Sequence, residues 1–400
     1  MKKIYLDYAS TTPLDSRVLA AMKPYLAGKF GNPSSLHSFG QEAMAALDKS
    51  RETLANLIGA KFNEVVFTSS ATEANNLALR GAISNFEFLI SNKFKPRIIV
   101  SSIEHESILE TAKDLERTGV EVIYLPVDKK GFVDLRKLEE SLNENTVLVS
   151  IMHANNETGV IQNISEISKI VRNSKFEIPN SKLGAVWPLL HTDAAQAFQY
   201  LDCNVENLGV NLMTLSSHKI YGPKGAGCLY VRGLDAAGKK STVAPIITGG
   251  GQEFELRSGT ENIPAIVGFA KAAELVTNSR ELESRRVGKL CDYLWVRLKK
   301  SVKGAKLNGD DKKRLPSNLN VYFPGISAED MLIKLDLNGV AVSAGSACAA
   351  RSLEPSRVLL AMGFDEKRAK GSIRLTLGRM TTKKDIDNFL AITKIISKKT

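Results

Sequence analysis

The sequence contains no hydrophobic run that approaches the roughly 18 apolar residues of a membrane span. Its 400 residues include only four cysteines, and none of these forms a C-x-x-C pair. A disulfide scaffold is therefore excluded, and we expect no metal site. The charge of Asp7 interrupts the N-terminal sequence before the apolar core of a signal peptide could form. We therefore expect a cytoplasmic protein without a membrane segment.

Aromatic-rich nucleic-acid-binding motifs are also lacking, although the formal net charge is +11. A basic RNA- or DNA-binding protein is the non-enzyme alternative that this charge raises. The basic residues are scattered, however, and their denser patches are short: Lys299–Lys300, Lys312–Arg314 and Lys398–Lys399. We expect a solvated basic surface that could attract an acidic protein or tRNA, and we do not expect direct nucleic-acid binding.

Apolar β-branched runs alternate with helical patterns from about residue 64 to residue 232. This alternation predicts an α/β fold with a mostly parallel sheet flanked by helices. Ligands of such sheets bind at the carboxyl ends of the strands. The seven strand candidates are Val65–Thr68, Ile98–Ser101, Val120–Leu125, Val147–Ile151, Leu189–Thr192, Leu212–Leu215 and Cys228–Val231.

A long helical pattern from about Ile263 to Lys300 leads into a smaller α+β domain. We predict a large domain over residues 15–262 and a small domain over residues 1–14 plus 263–400. Two segments, 85–96 and 173–188, resemble surface insertions and have no assigned role. The small domain is predicted to contain strands at Asn318–Phe323 and Ile373–Thr376, and helices at Ala328–Leu337 and Lys384–Ile396.

Two strand candidates end in residues that a pyridoxal phosphate (PLP) enzyme needs. Lys219 follows the apolar run Val210–Leu215, and Asp193 follows the run Leu189–His191. The lysine amine can form a Schiff base with the cofactor aldehyde, and the carboxylate can pair with the protonated pyridine nitrogen. Taken alone, the lysine also fits a solvated strand end, and the aspartate also fits a helix cap.

The segment Phe67–Glu73 predicts a phosphate site because it follows a strand and opens a helix. Free amides and the helix dipole attract phosphate there, and Thr72 would add a hydroxyl. Ser216 and His218 could close the site from another side, and the loop Gly249–Thr260 could add donors. The alternative for the isolated segment is a threonine N-cap.

Three further residues are candidates for the ring and the substrate. His105 follows a strand, where it can stack on a planar ring and exchange protons near neutral pH, or simply cap the next helix. Asn155 offers an amide after another strand. Arg374 lies in an apolar run, where it can bind a carboxylate bidentately or form a structural ion pair.

Cys348 lies in a run of small residues, Val342–Arg351, that predicts a mobile loop. Such a loop gives a thiol access and room to move, and Arg351 could favour the reactive thiolate. A lone cysteine is usually inert, so its setting alone makes it a candidate.

The sequence resembles the PLP-dependent cysteine desulfurases of the class V aminotransferase-like family, nearly from end to end. Because so many motifs occur in the same order, the resemblance outweighs the ordinary structural readings of single segments. One departure is Ser70, which stands where the family commonly has glycine. The shared motifs are Tyr5-Leu-Asp-Tyr-Ala-Ser-Thr-Thr-Pro13, Gly31-Asn-Pro-Ser-Ser35, Ala71-Thr-Glu73, Glu104-His105-Glu-Ser107, Asn155-Asn-Glu-Thr-Gly159, His191-Thr-Asp193, Ser217-His-Lys219, Arg257-Ser-Gly-Thr260, Gly345-Ser-Ala-Cys348, Leu353-Glu-Pro-Ser356 and Ser372-Ile-Arg374.

The resemblance implies the type I fold of PLP-dependent transferases, a homodimer, and a role for each matching residue. Lys219 would be the Schiff-base lysine and proton carrier, His105 the ring-stacking acid/base, and Cys348 the nucleophile that receives sulfur. Asp193 and Gln196 would contact the pyridine nitrogen and the ring hydroxyl. The remaining implied contacts are Ala71, Thr72, Ser216 and His218 with the cofactor, Thr260 with the phosphate of the neighbouring subunit, and Asn155 and Arg374 with the substrate carboxylate.

The implied reaction converts L-cysteine to L-alanine and leaves the sulfur on Cys348 as a persulfide. The longer cysteine loop, with Leu353–Ser356 after it, resembles the long-loop subgroup. It implies delivery to a separate acceptor protein, either an iron–sulfur cluster scaffold or a tRNA-thiolation enzyme. The enzymatic alternative is a selenocysteine lyase or related PLP lyase. Cys348 discriminates between the two activities, because selenium can leave its substrate without attack by a thiol.

Overall fold

The computed structural model describes residues 3–89, 95–174, 176–177, 186–238, 241–345 and 354–398. The helices are α1 (Ser16–Leu26), α2 (Ser38–Ile58), α3 (Ala71–Leu89), α4 (Glu106–Arg117), α5 (Leu135–Ser141), α6 (Ile164–Asn173), α7 (Val205–Leu208), α8 (Ile263–Ser301), α9 (Ala328–Leu337), α10 (Arg357–Ala361), α11 (Glu366–Lys370) and α12 (Lys383–Lys398). The strands are β1 (Ile4–Tyr5), β2 (Val65–Thr68), β3 (Arg97–Ser101), β4 (Glu121–Leu125), β5 (Thr146–Ser150), β6 (Phe176–Glu177), β7 (Val186–Trp187), β8 (Leu189–Asp193), β9 (Leu212–Ser216), β10 (Gly227–Val231), β11 (Lys306–Asn308), β12 (Asn318–Tyr322), β13 (Val340–Ala341) and β14 (Ser372–Thr376). Cys348 lies outside the described residues.

The central sheet has seven strands in the order β2-β10-β9-β8-β5-β3-β4. Only β10 runs antiparallel to its neighbours, β2 and β9, so the predicted mostly parallel sheet is confirmed. Successive residues such as Ile98 and Ile99 belong to separate core clusters on opposite faces. Both faces are therefore buried, which explains why these strands read as continuous apolar runs.

A buried histidine links three adjacent strands just before they reach the carboxyl edge of the sheet. His191 of β8 lies 2.8 Å from Ser150 Oγ of β5 through its Nδ1 atom, and 3.1 Å from Thr214 Oγ1 of β9 through its Nε2 atom. Burial lowers the pKa of His191 to about 4, so the ring is neutral at neutral pH. These bonds hold β5, β8 and β9 in one register.

The second core lies between α8 and an antiparallel sheet of β11, β12 and β14. The first part of α8, from Ile263 to Val276, packs in the core beneath the large sheet. Its later part, from Val287 to Leu298, packs in the second core with Ile4 and Leu6. The long connecting helix is thus confirmed, and the division at residue 262 stays a prediction. Within the described ranges, none of the helices combines the length and the hydrophobicity of a membrane span.

The prediction that residues 85–96 and 173–188 lie on the surface is wrong for two aromatic residues. Helix α3 continues to Leu89, and Phe86 is 2% exposed whereas Trp187 is 1% exposed. Their rings meet edge to face, with centroids 5.4 Å apart. Each ring therefore removes the other from water. Residues 90–94, 175 and 178–185 of these segments lie outside the described part of the chain.

Candidate active site

Lys219 lies in a 3₁₀ turn, Ser217–Lys219, that directly follows β9. Its Nζ atom donates to the carbonyl oxygens of Ala9, at 2.6 Å, and Ser10, at 2.8 Å. Gln196 Nε2 donates to the same Ala9 oxygen at 3.0 Å. The structure therefore brings two predicted site residues together beneath residues 7–12, which we call the N-terminal strap. The sequence motif at residues 5–13 does not by itself predict this contact with the site.

Asp193 ends β8, the strand that pairs with β9, and is 6% exposed. Its Oδ2 atom accepts from Asn75 Nδ2 at 2.9 Å, and its Oδ1 atom accepts from the amide of Ala195 at 2.9 Å. A carboxylate has about four acceptor positions, so it has capacity for another donor. The role of Asn75 was not predicted from the sequence. Its position one turn after Thr72 on α3 could have indicated it, because the two residues lie on the same helix face.

His105 is the N-cap of α4, and its Nδ1 atom accepts from the amide of Ser107 at 3.1 Å. Burial lowers the pKa of His105 below its ordinary value of 6.5; the charge of Asp193 opposes this shift, whereas that of Lys219 reinforces it. His105 thus lies within electrostatic reach of two other predicted site residues. The neutral imidazole can take up a proton, so the capping and acid/base readings are compatible.

The turn between β2 and α3 forms a candidate anion cradle, residues 69–72. The first amides of a helix have no acceptors within the helix. A Cβ atom on Gly227 would lie 2.6 Å from the carbonyl carbon of Ser70 and 2.8 Å from the amide of Ala71, so glycine lets β10 pass against the cradle. Gly227 also pairs with Ser216 of β9, which brings that predicted residue to the next strand end.

The other predicted phosphate residues lie in different settings. His218 Nδ1 lies 3.1 Å from Thr11 Oγ1 of the strap, and burial, with the charges of Lys219 and Lys224, lowers its pKa to about 4. It can therefore offer a hydrogen bond but little charge at neutral pH. Thr72 and Thr260 are both exposed.

Arg374 is 1% exposed and joins the strap to the turn at residues 155–158. Its Nη2 atom donates to Asp7 Oδ1 at 2.8 Å and to Ser10 Oγ at 2.6 Å, and its Nη1 atom donates to the carbonyl of Asn156 at 3.0 Å. The structural ion pair considered for this arginine is therefore present. Among the described residues, its buried Nε atom has no hydrogen-bond partner.

Asn155 is completely buried and stabilises the turn that follows it. Its Oδ1 atom accepts from the amides of Glu157, at 3.0 Å, and Thr158, at 2.8 Å. Its Nδ2 atom donates to the carbonyl of Ile103 at 3.0 Å and to Met152 Sδ at 3.3 Å. The amide thus shapes the segment whose Asn156 carbonyl receives Arg374.

A cavity of about 940 Å³ adjoins His105 and is also lined by Glu104, Ala344 and Glu354. Ala344 and Glu354 lie on either side of residues 346–353, the segment that contains Cys348. Beyond this segment, Ser356 Oγ donates to Glu157 Oε2 at 2.5 Å. Both described flanks of the cysteine segment therefore border the histidine side of the site.

Glu104 is a buried carboxyl group that the sequence analysis did not single out. Its Oε1 atom accepts from Ser101 Oγ at 2.6 Å and from the amide of Met152 at 2.7 Å. Burial raises the pKa of Glu104 to about 8. The side chain is thus mostly protonated at neutral pH and adds little charge beside Asp193.

Comparisons with known proteins identify the fold and the family of this chain. A solved "NIFS-LIKE PROTEIN" shares 37% sequence identity, covers 100% of both chains and superposes with a TM-score of 0.88. A second structure, "SspA in complex with cysteine", shares 35% identity with a TM-score of 0.80, and the match covers 95% of this chain and 100% of the other. These similarities confirm the predicted fold class, the type I fold of PLP-dependent transferases.

The aminotransferase class-V family matches residues 4–389. The "Cysteine desulfurase IscS" of Dictyoglomus turgidum is 45% identical over 398 residues, which span 100% of this chain and 95% of that protein. The chain therefore belongs to the class-V aminotransferase family, and this relative at 45% identity is a cysteine desulfurase.

Replacing Glu104 with glutamine tests the raised pKa. In the unfolded chain this carboxyl group ionises near pH 4.5, whereas in the folded protein it holds its proton until about pH 8. The unfolded state alone is therefore stabilised by ionisation as the pH rises through this window, and the wild type loses stability. Glu104→Gln cannot ionise, so its free energy of unfolding relative to wild type should rise by about 3 kcal/mol between pH 4.5 and pH 7.5.

Denaturant unfolding of both proteins across this pH range measures the effect. Glu139→Gln is the matched control because Glu139 is exposed on α5, and its difference from wild type should stay level. A level difference for Glu104→Gln would contradict the assignment of a protonated carboxyl group.

Proposed function

We propose that this protein is a cysteine desulfurase. In this proposal it converts L-cysteine to L-alanine and transfers the sulfur to Cys348 as a persulfide. The observation that carries the proposal is the position of Lys219 and Asp193 at the carboxyl ends of the paired strands β9 and β8, with His105 in electrostatic reach of both. The 45% identity to a cysteine desulfurase over the whole chain supports the same reaction.

We infer that PLP is the cofactor, because the donor set fits its functional groups. Asp193, held by Asn75 and the Ala195 amide, has acceptor capacity for a pyridinium N–H. The cradle at residues 69–72 offers helix amides to a phosphate, and Gly227 leaves the clearance that this turn needs. When bound, PLP supplies a ring that accepts electrons from the substrate α-carbon.

The residues of this chain would then share the proton and sulfur transfers. Lys219 removes the proton from the substrate α-carbon, and the carbonyls of Ala9 and Ser10 stabilise the resulting ammonium group. The Cys348 thiolate attacks the substrate sulfur, so an S–S bond forms while the substrate C–S bond breaks. The electron pair of that bond stays with the carbon fragment, which becomes alanine after protonation. His105, neutral at neutral pH, is placed to exchange a proton.

Arg374 is our candidate for the substrate carboxylate. It is buried, and its Nε atom has no hydrogen-bond partner in the described chain. A substrate carboxylate would supply that missing acceptor. Asn155 uses its amide within the chain, so its direct contact with the substrate stays a prediction.

A homodimer is supported by an exposed apolar surface near α1 and α2. Its four prominent side chains are Leu26 (59% exposed), Phe30 (72%), Leu36 (91%) and Phe39 (52%). Apolar surfaces of this kind mark protein interfaces. We propose that two chains meet here, and that Thr260 contacts the cofactor of the partner. The cytoplasmic location and the acceptor, a cluster scaffold or a tRNA-thiolation enzyme, stay predictions from the sequence.

Lys219→Ala tests the lysine assignment. Borohydride reduction of the wild type in the presence of PLP should attach the cofactor covalently to Lys219, because its amine condenses with the aldehyde. Peptide mass spectrometry should find no labelled lysine in Lys219→Ala, and Lys224→Ala should be labelled like the wild type because Lys224 is an exposed neighbour. Labelling at another lysine of the wild type would refute the assignment.

Cys348→Ala separates the desulfurase from the selenocysteine lyase alternative. The variant should retain the visible absorbance of bound PLP but lose at least about 100-fold in sulfide release from cysteine, because the nucleophile is absent. Cys203→Ala is the control, since burial raises the pKa of this thiol to about 12 and leaves it inert. Undiminished sulfide release by Cys348→Ala would defeat the persulfide mechanism, and retained selenide release alone would favour the lyase.

Asn75→Ala tests how Asp193 is held. The loss of one hydrogen bond to this carboxylate should weaken PLP binding about tenfold, measured by absorbance titration of the apoprotein. Asn85→Ala is the control, because Asn85 lies on the same helix and its side chain donates to the carbonyl of Ser241 and not to Asp193. Equal PLP affinity in Asn75→Ala and Asn85→Ala would contradict this role.

A further inference from the structure

A buried ion pair lies behind the anion cradle and takes no part in the mechanism above. Arg51 of α2 donates from Nη1 to Glu253 Oε2 at 2.6 Å and from Nη2 to Glu253 Oε1 at 2.7 Å. The two side chains are only 4% and 1% exposed. A buried pair of this kind is weak evidence for stability, because desolvation opposes the attraction between its charges. Its geometry therefore calls for another explanation.

Aromatic rings and β2 hold the pair in one orientation. The Arg51 guanidinium lies 4.9 Å from the ring centroid of Phe67 and 4.8 Å from that of Phe254, distances that allow cation–π attraction. Glu253 Oε2 also accepts from the amide of Phe67 at 2.8 Å. Glu253 is thus fixed to β2 only two residues before Ser69, where the cradle begins.

Glu253 also begins a strained turn within the loop 249–260. Glu253, Phe254 and Glu255 have φ angles of 49°, 57° and 65°. Three successive non-glycine residues in the left-handed region persist only where the surroundings hold them. The bidentate bond from Arg51 and the bond to the Phe67 amide supply that constraint at the first of the three.

A second ion pair fixes the other end of the turn. Arg257 Nε donates to Glu73 Oε1 at 2.9 Å, and Glu73 Oε2 accepts from the amide of Ser69 at 2.8 Å. The loop is therefore attached before the cradle through Glu253 and after it through Arg257. Residues 69–72 lie between these two attachment points.

We propose that Arg51 and Glu253 are positioning residues for the phosphate end of the cofactor site. They hold the left-handed turn, and through it they keep the loop 249–260 in a fixed relation to the amides at the start of α3. The ligand whose binding this arrangement favours is a phosphate monoester, because the cradle binds its negative charge. This inference rests on the proposed function, because it takes PLP as the bound phosphate ester. Neither residue contacts the cofactor in this proposal.

Glu253→Gln is the test variant, because it keeps the size and the acceptor for the Phe67 amide but removes the charge opposite Arg51. We expect its dissociation constant for PLP to rise about tenfold, the loss of one charge-assisted contact. The dissociation constant for pyridoxal, which has the aldehyde and ring but no phosphate, should change less than about twofold. Absorbance titrations of the full-length apoprotein with PLP and with pyridoxal measure both at one salt concentration.

Asp114→Asn is the matched control, an acid-to-amide change in an ion pair that joins α4 to α3. Asp114 pairs with Arg80 of α3 at 2.7 Å but does not contact the loop, so neither dissociation constant should change. Thermal unfolding checks that the variants are folded. If Glu253→Gln does not fold, Arg51→Lys is measured in its place, because lysine keeps the charge but loses the bidentate geometry.

The proposal is supported if the loop variant has a higher ratio of the PLP dissociation constant to the pyridoxal dissociation constant than the wild type, and Asp114→Asn does not. An unchanged ratio, whether both ligands weaken equally or neither weakens, overturns it while the proposed function stands. A wild-type protein that binds neither ligand would instead refute the cofactor and, with it, this inference.

Discussion

The alignment of two strand ends is the constraint on which the rest of the site depends. Lys219 and Asp193 can act on one ligand only if β9 and β8 end side by side, and His191 secures this by bonding to Ser150 and Thr214 on either side. A polar network in a core is favourable only when its members are satisfied. Here both imidazole nitrogens have partners, and the low pKa of about 4 keeps the ring uncharged.

The N-terminal strap then joins the two cores at the site. It presents carbonyls to Lys219, next to the large sheet, and a carboxylate and a hydroxyl to Arg374 of β14. The proposed base and the proposed carboxylate ligand are therefore positioned by one segment of six residues. A displacement of the strap would disturb proton transfer and substrate binding together. The strap therefore couples the two parts of the molecule in addition to the direct bond from Arg374 to the Asn156 carbonyl.

The sequence predicted most of the framework because its signals are local. Apolar runs identified all seven strands of the central sheet, and strand ends led to Lys219 and Asp193, since parallel strands expose their carboxyl ends at one edge. Asn75, the strap and the pair of Arg51 with Glu253 were missed. The strap bond to Lys219 spans 210 positions and the ion pair 202, and contacts this distant have no local pattern. The burial of Phe86 and Trp187 was not predicted for the same reason, because both lie in a core cluster that distant segments form together.

The carboxyl groups of the site show how the environment, and not residue type, decides function. Asp193 receives two donors at a strand end and has acceptor capacity left, so it suits a cationic ring. Glu104 receives two donors on one oxygen only, and its burial favours the proton. Glu253 is as buried as either, but a guanidinium faces it, and it holds a strained turn. Asp193 is thus suited to binding a ligand, Glu104 to remaining uncharged and Glu253 to positioning a loop. The donors around each carboxyl group determine this difference.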